Sequence, residues 1–69
     1  EAATVFADML SITYPDPDHS DDEDRFILIG LSNRNRLLIV AHTDRLGMTR
    51  IISAREATRS ERKLYETEI

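Results

Sequence analysis

A chain of 69 residues, 41% hydrophobic and 32% charged, has the size and composition of one small globular domain, residues 1–69, near the limit at which a single core suffices. It has no cysteine, which excludes disulfides and thiolate metal sites, and its longest apolar run, Leu37 to Ala41, falls far short of the roughly 20 residues that span a bilayer. The net charge of −4 conceals a segregation: residues 1–24 hold eight acids and no base (−8), residues 25–63 hold nine bases and three acids (+6), and residues 64–69 add two acids (−2).

No cationic segment followed by an apolar core opens the chain, so nothing reads as a signal peptide; a cytoplasmic protein with no membrane partner is expected. The acidic total does not exclude a polyanionic ligand, because such a ligand responds to the local field of a basic patch.

Glu1 to Asp8 is rich in helix formers and sets Ala2, Val5 and Phe6 on one face, which predicts a short helix. No Ser, Thr, Asp or Asn precedes it as a cap, so the chain is expected to begin inside a helix whose usual preceding residues are missing. Met9 to Tyr14 alternates Leu10, Ile12 and Tyr14 and predicts a half-buried strand, ended by Pro15 and Pro17. Asp16 to Asp24 carries six acids and no large apolar side chain, which predicts an exposed loop. A metal set of Asp16, Asp18, His19, Asp21 and Asp22 is conceivable there. The turn glycine and distal glutamate of a calcium loop are absent, however, so neither metal nor cofactor is expected.

Arg25 to Ser32 and Arg36 to Asp44 read as two strands that are apolar on both faces, joined into an antiparallel hairpin by a turn in which Asn33 and Asn35 tolerate left-handed geometry. A second turn at Arg45-Leu46-Gly47 leads into a fourth strand, Met48 to Ser53. The fold class expected is therefore α+β: an antiparallel meander of three to four strands between a short N-terminal helix and a C-terminal helix. Ser53-Ala54-Arg55-Glu56 and Thr58-Arg59-Ser60-Glu61 are competing capping boxes, and the first puts the helix start at Ser53.

Five of the nine bases (Arg50, Arg55, Arg59, Arg62 and Lys63) fall on this strand-to-helix junction. On a helix begun at Ser53, Arg55 and Arg59 would stand at i, i+4, a like-charge spacing more readily explained by an anionic partner than by helix stability. A plain solvated helix face competes equally with that reading.

Taken together, Glu1–Asp8, Asp16–Asp21, Arg25–Ser32, Arg36–Arg45, Arg50–Thr58 and the closing Glu61-Arg62-Lys63-Leu64-Tyr65-Glu66 resemble the BrnT family of bacterial toxins. The resemblance covers essentially the whole chain, and Ile52-Ser53-Ala54-Arg55 with His42-Thr43-Asp44-Arg45 makes it specific. It implies a small RelE-like ribonuclease that inhibits translation, a partner resembling the ribbon-helix-helix antitoxin BrnA, and an RNA substrate. Members typically carry a further N-terminal segment with a first strand. Without that strand the sheet is expected to expose an edge and to self-associate through it.

RelE-type cleavage implies a metal-independent attack of a 2′-hydroxyl on the adjacent phosphate, which needs a base, cations for the phosphorane, and an acid for the leaving oxygen. Arg50 and Arg55 are the expected catalytic cations, with Arg59, Arg62, Lys63 and Arg45 as phosphate contacts, since guanidinium binds phosphate in a fork and keeps its charge. His42 titrates near neutral pH and is a candidate acid or base, though a histidine ending an apolar strand is more often packed. Tyr65 has the same two readings. Asp44 and Arg45 can pair with each other at their turn. The competing class is a non-catalytic module whose basic junction binds an antitoxin or nucleic acid without cutting.

Overall fold

The computed structural model describes residues 1–16 and 25–67. Two tight turns decide its architecture. At the first, Asn35 takes φ 60° while Ser32 N donates to Arg36 O at 2.8 Å. At the second, Leu46 (φ 52°) and Gly47 (φ 78°) are both left-handed, the geometry that suits a two-residue hairpin. These turns fold β2 (Arg25–Leu31), β3 (Leu37–Arg45) and β4 (Met48–Glu56) into consecutive antiparallel pairs. The short β1 (Ile12–Pro15) adds to the other side of β2, giving the order β1-β2-β3-β4. The expected α+β meander is present. Met9 and Leu10 lie outside its first strand, and Pro15, lacking an N–H, is accommodated at the end of an edge strand.

Each face of the sheet is covered by one short element. Ala2–Ala7 is a 3-10 helix rather than an α-helix, stopped by Asp8, because six residues provide almost no i to i+4 ladder. It drops Val5, fully buried, onto Leu28, Leu38 and Val40. Gly30 makes that approach feasible, since a Cβ there would stand 2.5 Å from Val5 Cγ1. The other face packs Ile29, Leu37 and Ile39 against Tyr65 of α1 (Arg59–Thr67), with Ile12, Tyr14, Ile27 and Ala57 around them. Among the described residues no helix is long and apolar enough to cross a membrane.

The C-terminal boundary differs from expectation. Ser53 caps nothing: β4 runs through Ala54, Arg55 and Glu56, which pair with Val40, Ile39 and Leu38. The central strand β3 needs partners for its backbone groups along its whole length, and these three residues supply them. The second capping box starts the helix instead. Thr58 N donates to Glu61 Oε1 at 2.9 Å, and Glu61 N donates to Thr58 Oγ1 at 3.3 Å. Arg55 is therefore a strand residue, and the i, i+4 relation with Arg59 does not exist. The acidic stretch from Pro17 to Asp24, with Asp18, His19, Asp21 and Asp22 of the conceivable metal set, lies outside the described residues.

Candidate phosphate-binding face

Residues paired across antiparallel strands share a face, so the register alone assigns each charged side chain to a side of the sheet. Thr43 lies opposite both Arg25 and Arg50, and Ile39 lies opposite Arg55. Positions 39, 41, 43 and 45 of β3 share one face by alternation, the face that α1 covers. Arg25, Arg45, Arg50 and Arg55, which are all the strand arginines, therefore lie on the α1 face. Among the described residues the strand acids, Asp44 and Glu56, lie on the other, while buried Asp16, just past β1, stands beside Arg25 and donates its N–H to Arg25 O at 3.0 Å.

Arg50 and Arg55 are five positions apart, which on a regular strand would put them on opposite faces. A β-bulge resolves this. Ala41 pairs with Ser53 but His42 pairs with Ile51, so Ile52 is an extra residue and the alternation of β4 resets between the two arginines. Along the α1 face this produces a row Arg25–Thr43–Arg50 at the end of the sheet. The next row is Tyr14–Ile27–Ala41–Ser53, and then Ile12–Ile29–Ile39–Arg55, where the α1 core begins.

The cations differ in what already holds them. Arg55 forms a two-pronged pair with Glu61, Nη1 to Oε1 at 2.7 Å and Nη2 to Oε2 at 2.8 Å. Those bonds, with the two from Thr58 and against the effect of burial, pull the Glu61 carboxyl down to about 2. Glu61 thereby caps α1 and ties it to β4 at once. Arg36 is likewise engaged, by Glu1 and Glu56. Arg50, Arg45 and Arg25 have no acidic partner among the described residues. Tyr14 stands beside the Arg55–Glu61 pair, and its hydroxyl is pushed up by burial and by Glu61.

His42 is placed elsewhere. It is 3% exposed on the 3-10 face, with its ring 5.0 Å from that of Phe6 and 5.6 Å from that of Phe26. Nδ1 comes within 3.4 Å of Asp44 Oδ1 without hydrogen-bond alignment, and neither ring nitrogen is hydrogen-bonded among the described residues. The sheet separates it from the four arginines. Tyr65 is a core residue whose hydroxyl donates to Asp8 Oδ2 at 2.6 Å; burial and that carboxylate push it up to about 12. Burial opposes ionisation of Asp8, but the bonds from Tyr65, Leu31 N and Leu10 N prevail and keep its carboxyl below the usual range. On α1 all of Arg59, Arg62 and Lys63 are exposed, and Lys63, two residues before buried Tyr65, points away from the sheet. Asp44 bonds Thr49 Oγ1 at 2.8 Å rather than its neighbour Arg45.

Two features of this face carry no signal of their own in the sequence: Arg25, which reads only as the start of a strand, and Glu61, which reads only as a cap. No curated protein and no solved structure matches the chain. A family match covers residues 1–61, in the family described as the ribonuclease toxin, BrnT, of type II toxin-antitoxin systems. That match extends over most of the chain and takes in every strand arginine, and the chain belongs to the BrnT family of ribonuclease toxins.

Proposed function

We propose that the protein cleaves RNA without a metal ion on the α1 face of its sheet, with Arg50 as the principal cation at the scissile phosphate. The observation that carries this reading is the gathering of all four strand arginines on one face while both strand acids face the other way. In the reaction the substrate's 2′-oxygen forms a bond to the adjacent phosphorus, and the bond from phosphorus to the 5′-oxygen breaks. The 2′-proton leaves to a base, and the departing 5′-oxygen takes up a proton. The phosphorane gains charge on its equatorial oxygens as this happens, and fixed guanidiniums stabilise that charge more than they stabilise the ground state.

Arg55, two rows further along the same face, exchanges the Glu61 carboxylate for a second, equally charged phosphodiester of the same RNA strand. Arg45 extends the positive face toward the β3–β4 turn. Arg59 and Arg62 hold the flanking RNA backbone from α1, with Lys63 contributing to the long-range field only. His42 has no part in the chemistry, since it is buried on the other side of the sheet. The antitoxin partner that the family implies is, in this proposal, a BrnA-like ribbon-helix-helix protein, and the outcome of cleavage is inhibited translation.

The test is incubation of purified protein with RNA in chelator. Arg50→Ala is expected to lose about 10²- to 10³-fold in cleavage rate, the usual cost of removing one donor from a developing oxyanion. RNA left intact by wild-type protein under these conditions would sink the proposal.

A second reading draws on β4. It is an edge strand, all nine residues are exposed, and Met48, Ile51 and Ile52 present apolar surface. Such an edge accepts an added strand from a partner or a second copy. The non-catalytic module would use this edge to bind its antitoxin and leave RNA uncut, which the same assay distinguishes.

A further inference from the structure

Arg25 opens β2, and the register places it in line with Arg50. It lies opposite Thr43 on β3, and Thr43 lies opposite Arg50 on β4, so the three side chains leave the same face in one transverse row. Directly paired residues stand about 5 Å apart in Cα, so the two arginines flank Thr43 at roughly 10 Å, a span that two long side chains close from either side. Thr43 is 9% exposed and adds a hydroxyl between them.

A second observation concerns the state of Arg25. Its Nε is buried and has no hydrogen-bond partner, and the side chain forms no ion pair among the described residues. A buried guanidinium donor without an acceptor carries a desolvation cost that native structures rarely leave uncompensated. The strongly held arginines, Arg36 and Arg55, have both found carboxylates. Arg25 instead keeps a buried donor without an acceptor among the described residues although Asp16 adjoins it on β2's other side, and Arg50 in the same row forms no ion pair there either.

We propose that Arg25, Thr43 and Arg50 form one seat for a single phosphate group of the RNA backbone, with Arg25 as a further substrate-contacting residue beside Arg50. The seat rests on the ribonuclease reading for the identity of its ligand, but its phosphate affinity does not depend on cleavage. Two guanidinium forks approaching from opposite sides fix the orientation of the phosphate, which one arginine alone leaves free to rotate. The Thr43 hydroxyl donates to the oxygen lying over β3. Arg45, on the same face two residues beyond Thr43, stands about 7 Å further along the strand and extends the positive surface toward the neighbouring phosphate.

The experiment uses fully 2′-O-methylated RNA, which binds but cannot be cut, and measures anisotropy over a salt series beside cleavage of ordinary RNA in chelator. Wild type, Arg25→Gln, Arg25→Lys, Arg50→Gln and the double glutamine variant are compared, with Arg34→Gln at the far turn as control. Arg25→Gln is expected to weaken binding and to flatten the log–log salt slope by about one phosphate, as Arg50→Gln does. The double variant should lose less than the product of the single losses, because both residues act on one group. Arg25→Lys, keeping charge and stem but not the fork, should recover the salt slope and only part of the cleavage rate.

Wild-type affinity and slope in Arg25→Gln would overturn the seat, whatever happens to cleavage. The seat is equally overturned if Arg25→Gln loses binding only in proportion to unfolded protein seen by thermal melting while Arg25→Lys is also inactive. A normal slope change with no cleavage by the wild type supports the seat and removes the ribonuclease reading instead.

Discussion

At the scale of single residues, position in the fold decides what a side chain can reach, whatever its chemical type. His42 is the side chain a search for an acid or base selects first, and it lies stacked on Phe26 and edge-on to Phe6, with neither nitrogen hydrogen-bonded among the described residues. Its replacement by phenylalanine removes two polar atoms without a hydrogen bond among the described residues from an aromatic cluster. His42→Phe is therefore expected to leave the cleavage rate unchanged and to raise stability by about 1 kcal/mol, measured as a shifted denaturant midpoint. A lost cleavage rate in a variant that melts normally would return His42 to the mechanism. Gly30 illustrates the same rule from the opposite direction: its importance lies in the Val5 methyl that fills the space a side chain would need.

At the scale of elements, the strands were legible and the junction was not. Apolar runs bounded by Asn35 and Gly47 identify three of the strands because turn chemistry and periodicity agree there. Counting outward from those two turns even yields the Arg25–Thr43–Arg50 row, since each turn fixes the register of its hairpin. Nothing in the local sequence chooses between the capping boxes at Ser53 and Thr58, because the choice depends on β3 requiring a partner along its full length. The bulge was equally hidden, as a period of two puts Arg50 and Arg55 on opposite faces.

The bulge makes an element-scale prediction that runs against intuition. Deleting Ile52 closes the ladder into a regular strand in which Arg50 still meets Thr43 and Arg55 still meets Ile39. This variant is expected to fold and to cleave within about tenfold of wild type, the difference reflecting lost local twist. Deleting Ile51 and Ile52 together should abolish cleavage, because the alternation then turns Arg55 away from Glu61. Equal rates from the two deletions would show that the bulge does not set the geometry of the site.

At the scale of the whole molecule, thin layers on each side of one sheet leave stability dependent on a few polar ties between distant segments. Glu61 is the clearest, with its carboxyl drawn from an ordinary 4.5 to about 2 by Arg55 and its own cap. A carboxyl whose pKa falls on folding stabilises the native state fully above the unfolded value and loses that contribution as pH drops from about 4.5 toward 2. Thermal melts across this window should show wild type losing stability more steeply than Glu61→Gln, which starts lower and changes less. Parallel acid limbs for the two proteins would mean that the pair contributes nothing to folding.

The helix α1 reaches the rest of the protein through two polar clasps and one ring. Glu61 grips Arg55 near its start, Tyr65 hands its hydroxyl to Asp8 near its end, and Tyr65 is its one buried side chain among the described residues. A nine-residue segment fastened in this way is expected to open before the hairpins do, read as lower hydrogen-exchange protection in α1 than in β2 and β3. When it lifts, the guanidinium of Arg55 is released and the apolar floor of Ile29, Leu37 and Ile39 meets water together. The element that closes the core thus also occupies Arg55, so a ligand that holds Arg55 better when the helix is lifted would shift the balance toward the lifted state by the difference between its affinities for the two states.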